Sequence, residues 1–246
     1  WMTCTHGKIL ETCAQALRTD ARQPVQILDI GAGPGLLLRT AQARGWQTTA
    51  LEPSPLCATR LRAEGHAVWD APLGDYAGSA GPASSFQYDV VTLYETLEHF
   101  ANPEEALLQV YDLLRAGGVV AVVVPNDYTP GQLEACRRFS LPHWWLSAPS
   151  HCSYFSPKTL QLLLRRCGFV QVILRGTFPL VEHFILARNL CYVGDDVVGR
   201  RIHRERMRLE LEAVETGRWA ALEATYTENM ASRVGREIVY IGRKDA

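Results

Sequence analysis

Short apolar runs alternate with amphipathic stretches through the first half of the chain. Runs at 25–30, 47–51, 66–69, 88–93 and 119–124 read as strands. The last (Val119, Val120, Ala121, Val122, Val123, Val124) has no polar position, the mark of a strand buried on both faces. Between them the period lengthens. Ile9, Leu10, Cys13, Ala16 and Leu17 fall at helical spacing within 6–19, and Pro24 stops that helix. Residues 36–44 and 55–64 read as helices closed by Gly45 and Gly65. The Gly-, Ala- and Ser-rich stretch 74–85 predicts a surface loop. Asn102-Pro103-Glu104-Glu105 starts a helix: Asn102 caps, Pro103 suits the first turn and Glu105 reaches back. That helix is predicted to run to Arg115 and to stop at Gly117-Gly118. Residues 127–155 read as irregular and rich in aromatic side chains. Ser156-Pro157 opens a helix over 157–167, ended by Gly168, and strands follow at 169–174 and 237–241. Between those strands, 179–235 reads as a helical insertion, with Leu211, Val214, Trp219, Leu222, Tyr226 and Met230 on an apolar face.

Strand–helix alternation of this kind predicts an α/β fold with a mostly parallel sheet covered by helices. Ligands of such sheets bind beyond the carboxyl ends of the strands, near the point where strand order reverses. The tips of interest lie near Gly31, Glu52, Asp70, Tyr94 and Asn126.

Composition narrows the function classes. At 246 residues and 47% hydrophobic, the chain can bury a sizeable core. A formal net charge of −1 argues against nucleic acid as the main partner. The sequence has neither a run of about 18 apolar residues nor a basic-then-apolar leader, so no membrane partner is expected. Seven scattered cysteines without a C-x-x-C pair fit reduced thiols in the cytoplasm and no metal site. The arginines at 200, 201, 204, 206 and 208 read as a solvated helix face diluted by Glu205 and Glu210.

The stretch "ILDIGAGPG", 27–35, is a strand ending in three glycines. Leu36 stands where a dinucleotide fingerprint requires its third glycine, and no Lys-Ser/Thr follows, which removes the P-loop reading. Glu52, 17 residues after Gly35, can accept hydrogen bonds from two vicinal ribose hydroxyls. Asp70 can accept from an adenine amino group. Together these specify an adenosine without requiring a diphosphate.

With "LEPS", "YDVVTLYETLEHFANPEEAL", "LLRAGGVVAVVVPN" and "HCSYFSPKTLQLLLRRCGF" following in order, the chain resembles the class I S-adenosylmethionine-dependent methyltransferases over 25–175. The branch it is similar to includes quinone-biosynthesis O-methyltransferases and bacterial small-molecule enzymes. The resemblance implies a Rossmann-like, doubly wound, seven-stranded, mostly parallel sheet with a helical insertion before the last strand. It implies an N-terminal helix (1–24) covering the cofactor site, a cofactor-binding core (25–178), an insertion or lid (179–235) and a final core strand (236–246). Asp29, Gly31, Ala32, Gly33 and Gly35 would line the methionine part of the cofactor. Glu52 would hold the ribose, Pro53 would lie beside the adenine, and Asp70 and Ala71 would meet it. Tyr94, Glu95 and His99 would face the methionine moiety or the acceptor.

Each reading has a plainer competitor. Asp70 can be a surface carboxylate, Glu98-His99 can anchor a turn, and Asn126 can be a turn residue. His151 and Tyr154 can pack an aromatic loop on the sheet edge, and His143, Trp144 and Trp145 can be lid packing. The functional reading makes Tyr154, His151, His99 and Asn126 the catalytic candidates. Methyl transfer from a sulfonium needs the nucleophile at near-attack distance, roughly 3–3.5 Å, and water excluded. A base is needed only if the acceptor must lose a proton, a task for His99 or His151. An aromatic face such as that of Tyr154 can stabilise the sulfonium. The insertion offers a lid, an acceptor pocket or an oligomer surface, the last compatible with a homodimer. Its composition suits a small-molecule O or N acceptor better than a macromolecule. Two alternatives remain open at this level. In one, the cofactor's own α-amine attacks its γ-carbon, giving a four-membered cyclic amino acid and methylthioadenosine, as some methyltransferase-like enzymes do, with no partner beyond the cofactor. In the other, the chain is a non-catalytic cofactor-binding module.

Overall fold

The computed structural model describes residues 2–17, 24–78 and 87–245. Strands β1 (Gln26–Ile30), β2 (Gln47–Leu51), β3 (Ala67–Trp69), β4 (Tyr88–Tyr94), β5 (Leu114–Pro125), β6 (Phe169–Gly176) and β7 (Glu237–Lys244) form one sheet. Their order is β3-β2-β1-β4-β5-β7-β6. The first five are parallel, and β7 inserts antiparallel between β5 and β6. The order reverses between β1 and β4, which sets the ligand crevice at their carboxyl ends. The unbroken apolar run of β5 has the physical cause the sequence suggests. Val120, Val122 and Val124 enter the core on one face, and Val119, Ala121 and Val123 enter the core on the other.

Helices α1 (Met2–Ala16), α2 (Leu36–Gln42), α3 (Pro55–Ala63), α4 (Leu73–Gly78), α5 (Pro103–Leu113), α6 (Pro130–Phe139) and α7 (Pro157–Arg166) surround the sheet. The Asn102 cap is present, with its side chain accepting from the Glu105 N–H. Several boundaries differ from the periodicity. Helix α1 begins and ends earlier than 6–19, and 18–23 lie outside the described residues. Part of the expected loop at 74–85 is α4, whose Tyr76 and Leu73 supply buried apolar surface that Gly- and Ala-rich composition hides; 79–86 are outside the described residues. Helix α5 stops at Leu113, because Leu114 takes extended backbone angles (φ −83°, ψ 138°) and opens β5 four residues before Gly118. The irregular stretch 127–155 contains α6, started by a capping box in which Thr129 and Gln132 bond each other's backbone.

The insertion comprises a π-helical segment (Val181–Leu186), α8 (Asp196–Glu215) and α9 (Trp219–Asn229). It carries its own small core of Phe178, Phe184, Ile202 and Tyr226, and Val181 and Ile185 pack on Ala135 of α6. Buried charges tie it to the sheet. Arg206 of α8 lies 3.4 Å from Glu210 and 3.8 Å from Glu237 at the start of β7, and the Tyr226 hydroxyl donates to Glu210 at 3.1 Å. Arg175 of β6 meets Glu223 of α9 at 3.0 Å. Buried charges of this kind persist only when paired, so the insertion is held in one register over β7.

Candidate active site

The loop after β1 is shaped by three left-handed glycines, Gly31, Gly33 and Gly35 (φ 73°, 51° and 77°). The Gly31 N–H donates to the Leu51 carbonyl at 2.8 Å, and a Cβ there would fall 2.6 Å from the Thr96 side chain. A Cβ on Gly35 would strike Leu61 of α3. Gly33 differs, since nothing lies within 4 Å of where its Cβ would stand. The loop therefore bares its backbone there, as a ligand-approach position requires. Glu52, buried at the tip of β2, accepts from the Gly33 N–H at 2.7 Å and the Ser54 N–H at 2.8 Å, one on each oxygen. Each oxygen keeps a second lone pair for a ribose hydroxyl.

A cleft of about 420 Å³ opens beside this loop, walled by Gly31, Glu52, Pro53, Ala71, Thr96 and His99, among others. Its size and its pairing of apolar walls with one buried carboxylate fit a nucleoside. Asp29 lies beneath the loop, fully buried, and accepts from the Thr92 hydroxyl at 2.6 Å. Burial, opposed by the Thr92 bond and helped by Glu52, pushes its carboxyl up to about 7. Ala32 is buried in the core beside α1 and α2. Tyr94 meets the His6 ring of α1 edge-on at 4.9 Å, and burial holds its hydroxyl above the usual tyrosine range. Asp70 does not line the cleft; it is exposed and paired with Arg62 of α3 at 3.0 Å.

This arrangement has a family. A model described as a methyltransferase domain matches residues 6–173. The chain belongs to the class I S-adenosylmethionine-dependent methyltransferases. Its cofactor is S-adenosylmethionine. The methyltransferase is 33% identical over 170 residues to the ubiquinone biosynthesis O-methyltransferase of Serratia proteamaculans, covering 67% of this chain and 70% of that protein. It is 36% identical over 101 residues to the Shewanella halifaxensis protein of the same name, a match spanning 39% of this chain and 41% of that one. A methyltransferase structure from Archaeoglobus fulgidus shares the fold, with a TM-score of 0.59 at 16% identity over 98% of this chain and 94% of its own.

A second cavity of about 470 Å³ lies between the strand tips and the insertion of the methyltransferase. It meets the cofactor cleft at Glu95, which lines both. Glu95 takes a left-handed backbone (φ 49°), unusual for a residue with a side chain, and its N–H donates to the Val123 carbonyl at 2.8 Å. Burial and then Glu237 push its carboxyl upward. The histidines make a second junction. His99 lines the cofactor cleft, His151 lines the second cavity, and their rings meet at 5.0 Å. The His99 Nδ1 bonds the Ser150 carbonyl at 2.7 Å, while burial and the neighbouring His99 hold His151 below the usual histidine range. Glu98 is buried beside them, and burial pushes its carboxyl up to about 7. The ligand-type atoms of Glu98, His99 and His151 lie within 4.8 Å of one another, a grouping the sequence, read as metal-free, does not suggest.

Asn126 and Tyr154 line neither cavity. The Asn126 amide donates to the carbonyls of Arg233 and Gly235, both at 3.0 Å, and so clamps the turn before β7. The Tyr154 hydroxyl accepts from the Ser147 N–H at 3.1 Å and holds the aromatic loop. Sequence reasoning missed Asp127, Glu182, Arg236 and Glu237, all of which line the second cavity, and gave Trp144 and Trp145 only a packing role. Asp127 follows a named strand tip and was within reach of the sequence. Glu182, Arg236 and Glu237 reach the cavity only through the path of the insertion.

Proposed function

We propose that the methyltransferase acts on a small molecule held in the 470 Å³ cavity, with the reacting atoms meeting at Glu95. The observation that carries this reading is the shared wall: two cavities of nucleoside and small-molecule size have Glu95 in common, at the carboxyl end of β4 beside the switch point. When bound, S-adenosylmethionine supplies an electrophilic sulfonium methyl. The residues of the chain do the rest. Gly33 gives close backbone approach, Glu52 holds the ribose, and Pro53 and Ala71 flank the base. Asp29 props the loop, and α1, through His6 on Tyr94, backs the methionine end. Glu95 orients the acceptor and the charge beside it. The insertion, pinned by Arg206, roofs the cavity and excludes water. A separate acceptor cavity favours intermolecular transfer over cyclisation of the cofactor on itself. All seven cysteines are free, which supports a cytoplasmic setting. No described helix is long and apolar enough to cross a membrane.

The test separates binding from chemistry. Glu95→Gln is expected to lower kcat by about tenfold or more while S-adenosylhomocysteine affinity moves by less than about threefold. Unchanged kcat, or a parallel loss of nucleoside affinity, would remove Glu95 from the junction.

A further inference from the structure

The charges around the second cavity point to the kind of acceptor it takes. Four carboxyls line it, those of Glu95, Asp127, Glu182 and Glu237, against two guanidiniums, those of Arg206 and Arg236. Both guanidiniums meet Glu237. Arg236 bonds it at 2.7 Å and Arg206 lies at 3.8 Å, with Glu210 as a further partner of Arg206 at 3.4 Å. Arg236 and Arg206 hold the Glu237 carboxyl below the usual carboxylate range although burial opposes them. That pairing leaves three carboxyls. Glu95 has Arg236 only at 4.0 Å. Among the described residues, no ion pair joins Asp127 or Glu182 to a cation. Asp127 is 3% exposed, and its Oδ2 has no hydrogen-bond partner. The nearby Arg233 guanidinium donates through Nη2 to the backbone carbonyls of Asp127 and Tyr128 at 2.8 and 2.9 Å and makes no ion pair with the Asp127 carboxyl. The cavity's histidines add no charge. Burial and a neighbouring histidine hold His151 low, and burial with Arg206 and Arg236 holds His203 low.

Burial raises the Glu95, Asp127 and Glu182 carboxyls, so each ionises most readily with a cation beside it, and the cavity favours a cation over an anion. A phenol enters neutral, but the phenolate through which it reacts would have to form beside these carboxyls, which disfavour it. An ammonium would give Asp127 and Glu182 the counter-charge they lack. The walls agree: Trp144 and Trp145 meet edge to face at 5.0 Å, and together with Tyr192 they present aromatic surface to the same space. We propose that the acceptor is a primary or secondary amine on a flat apolar body, bound as its ammonium by Asp127 and Glu182 against the Trp144–Trp145 wall. The proposal rests on the reading of this cavity as the acceptor site and names its substrate class. The bound ammonium first gives one proton to the Asp127 carboxylate, which passes it on to water; the freed nitrogen pair then forms the new C–N bond as the C–S bond breaks with its pair left on sulfur. Burial places the Asp127 carboxyl at about 7, a suitable level for taking that proton near neutrality.

Calorimetric titration of isosteric pairs tests this: 2-phenylethylamine with 2-phenylethanol, tyramine with tyrosol, and tryptamine with tryptophol. Each pair is run near neutral pH on the full chain, alone and saturated with S-adenosylhomocysteine. At least one amine is expected to bind about tenfold or more tighter than its alcohol, as a charge-assisted contact implies. Asp127→Asn is expected to shrink that preference to about threefold or less, and Glu182→Gln to reduce it, with the unfolding temperature of each variant recorded as a check on folding. Equal affinities within every pair, no binding by any amine, or a full preference retained in both variants would overturn the proposal. Loss of nucleoside binding with the amine preference intact would strike the cofactor-site reading instead and leave this one standing.

Discussion

Glu52 is the residue on which cofactor affinity is expected to depend most steeply. Both of its oxygens are already occupied by backbone donors, Gly33 on one and Ser54 on the other. Under the proposed ribose assignment, the hydroxyls would meet a carboxylate whose orientation is fixed before binding. Two hydrogen bonds to a charged acceptor contribute about 1.5–3 kcal/mol each. Their joint loss in Glu52→Ala is expected to weaken S-adenosylhomocysteine binding by about 10²–10⁴-fold. Glu52→Gln is not conservative at this position. A glutamine carbonyl can accept from only one of the two N–H groups, and its amide would face the other donor to donor. The Gln variant is expected to lose about 10–10²-fold, with the Ser54 turn disturbed. Isothermal calorimetry measures both. An affinity within about threefold of the parent in Glu52→Ala would refute the ribose assignment and the preorganisation argument together.

Three further outcomes follow from the packing and charges. Arg206→Ala leaves Glu210 buried without its guanidinium, while Glu237 keeps Arg236, and costs about 3–5 kcal/mol, read as a lower urea midpoint; a loss under about 1 kcal/mol would show that the insertion is not pinned by Arg206. Gly33→Ala carries only the left-handed backbone penalty, about 1–2 kcal/mol, but places a methyl in the bared approach space and weakens nucleoside binding. Gly35→Ala adds a collision with Leu61 and is expected to be less stable than Gly33→Ala by a further 1–3 kcal/mol or about that, measured by the same denaturation; equal stabilities would contradict the geometry. Asp29 titrates at about 7 when folded against 3.8 as its ordinary value, so between about pH 4 and pH 7 the folded chain binds the more protons and Asp29 makes stability fall as pH rises. Asp29→Asn is expected to flatten the urea-midpoint slope in that window, and an unchanged slope would show that the carboxyl is not desolvated.

The sheet was legible because its strands are short apolar runs punctuated by glycines, and a parallel sheet buried on both faces demands such runs. The geometry of the candidate cofactor cleft was legible for a related reason. Gly31, Gly33, Gly35 and Glu52 are fixed by local backbone needs within one βαβ unit, and sequence spacing records them. Asp70 sits at a strand tip as spacing suggests, yet Arg62 on the adjacent helix draws it outward, and spacing cannot show that pull. Asn126 and Tyr154 carry polar groups that look chemical in sequence, but the Asn126 amide N–H2 donates to backbone carbonyls, the Tyr154 hydroxyl accepts from a backbone N–H, and neither residue lines either cavity. The acceptor half was hidden because its walls come from α6, the π-helical segment, α8 and β7, brought together by contacts distant in sequence. The capping box at Thr129 and Gln132 was the one local signal in that region, masked by the aromatic residues that follow it.

The chain moves a methyl group from S-adenosylmethionine to a separate small molecule. The most direct measurement incubates the full chain with S-adenosylmethionine, first alone and then with the amines and alcohols above, and identifies the nucleoside formed by mass. S-adenosylhomocysteine appearing only when an acceptor is added, together with an acceptor heavier by one methylene, is the expected result. Methylthioadenosine released with no acceptor present would rule out transfer to a separate molecule and make the cofactor its own substrate.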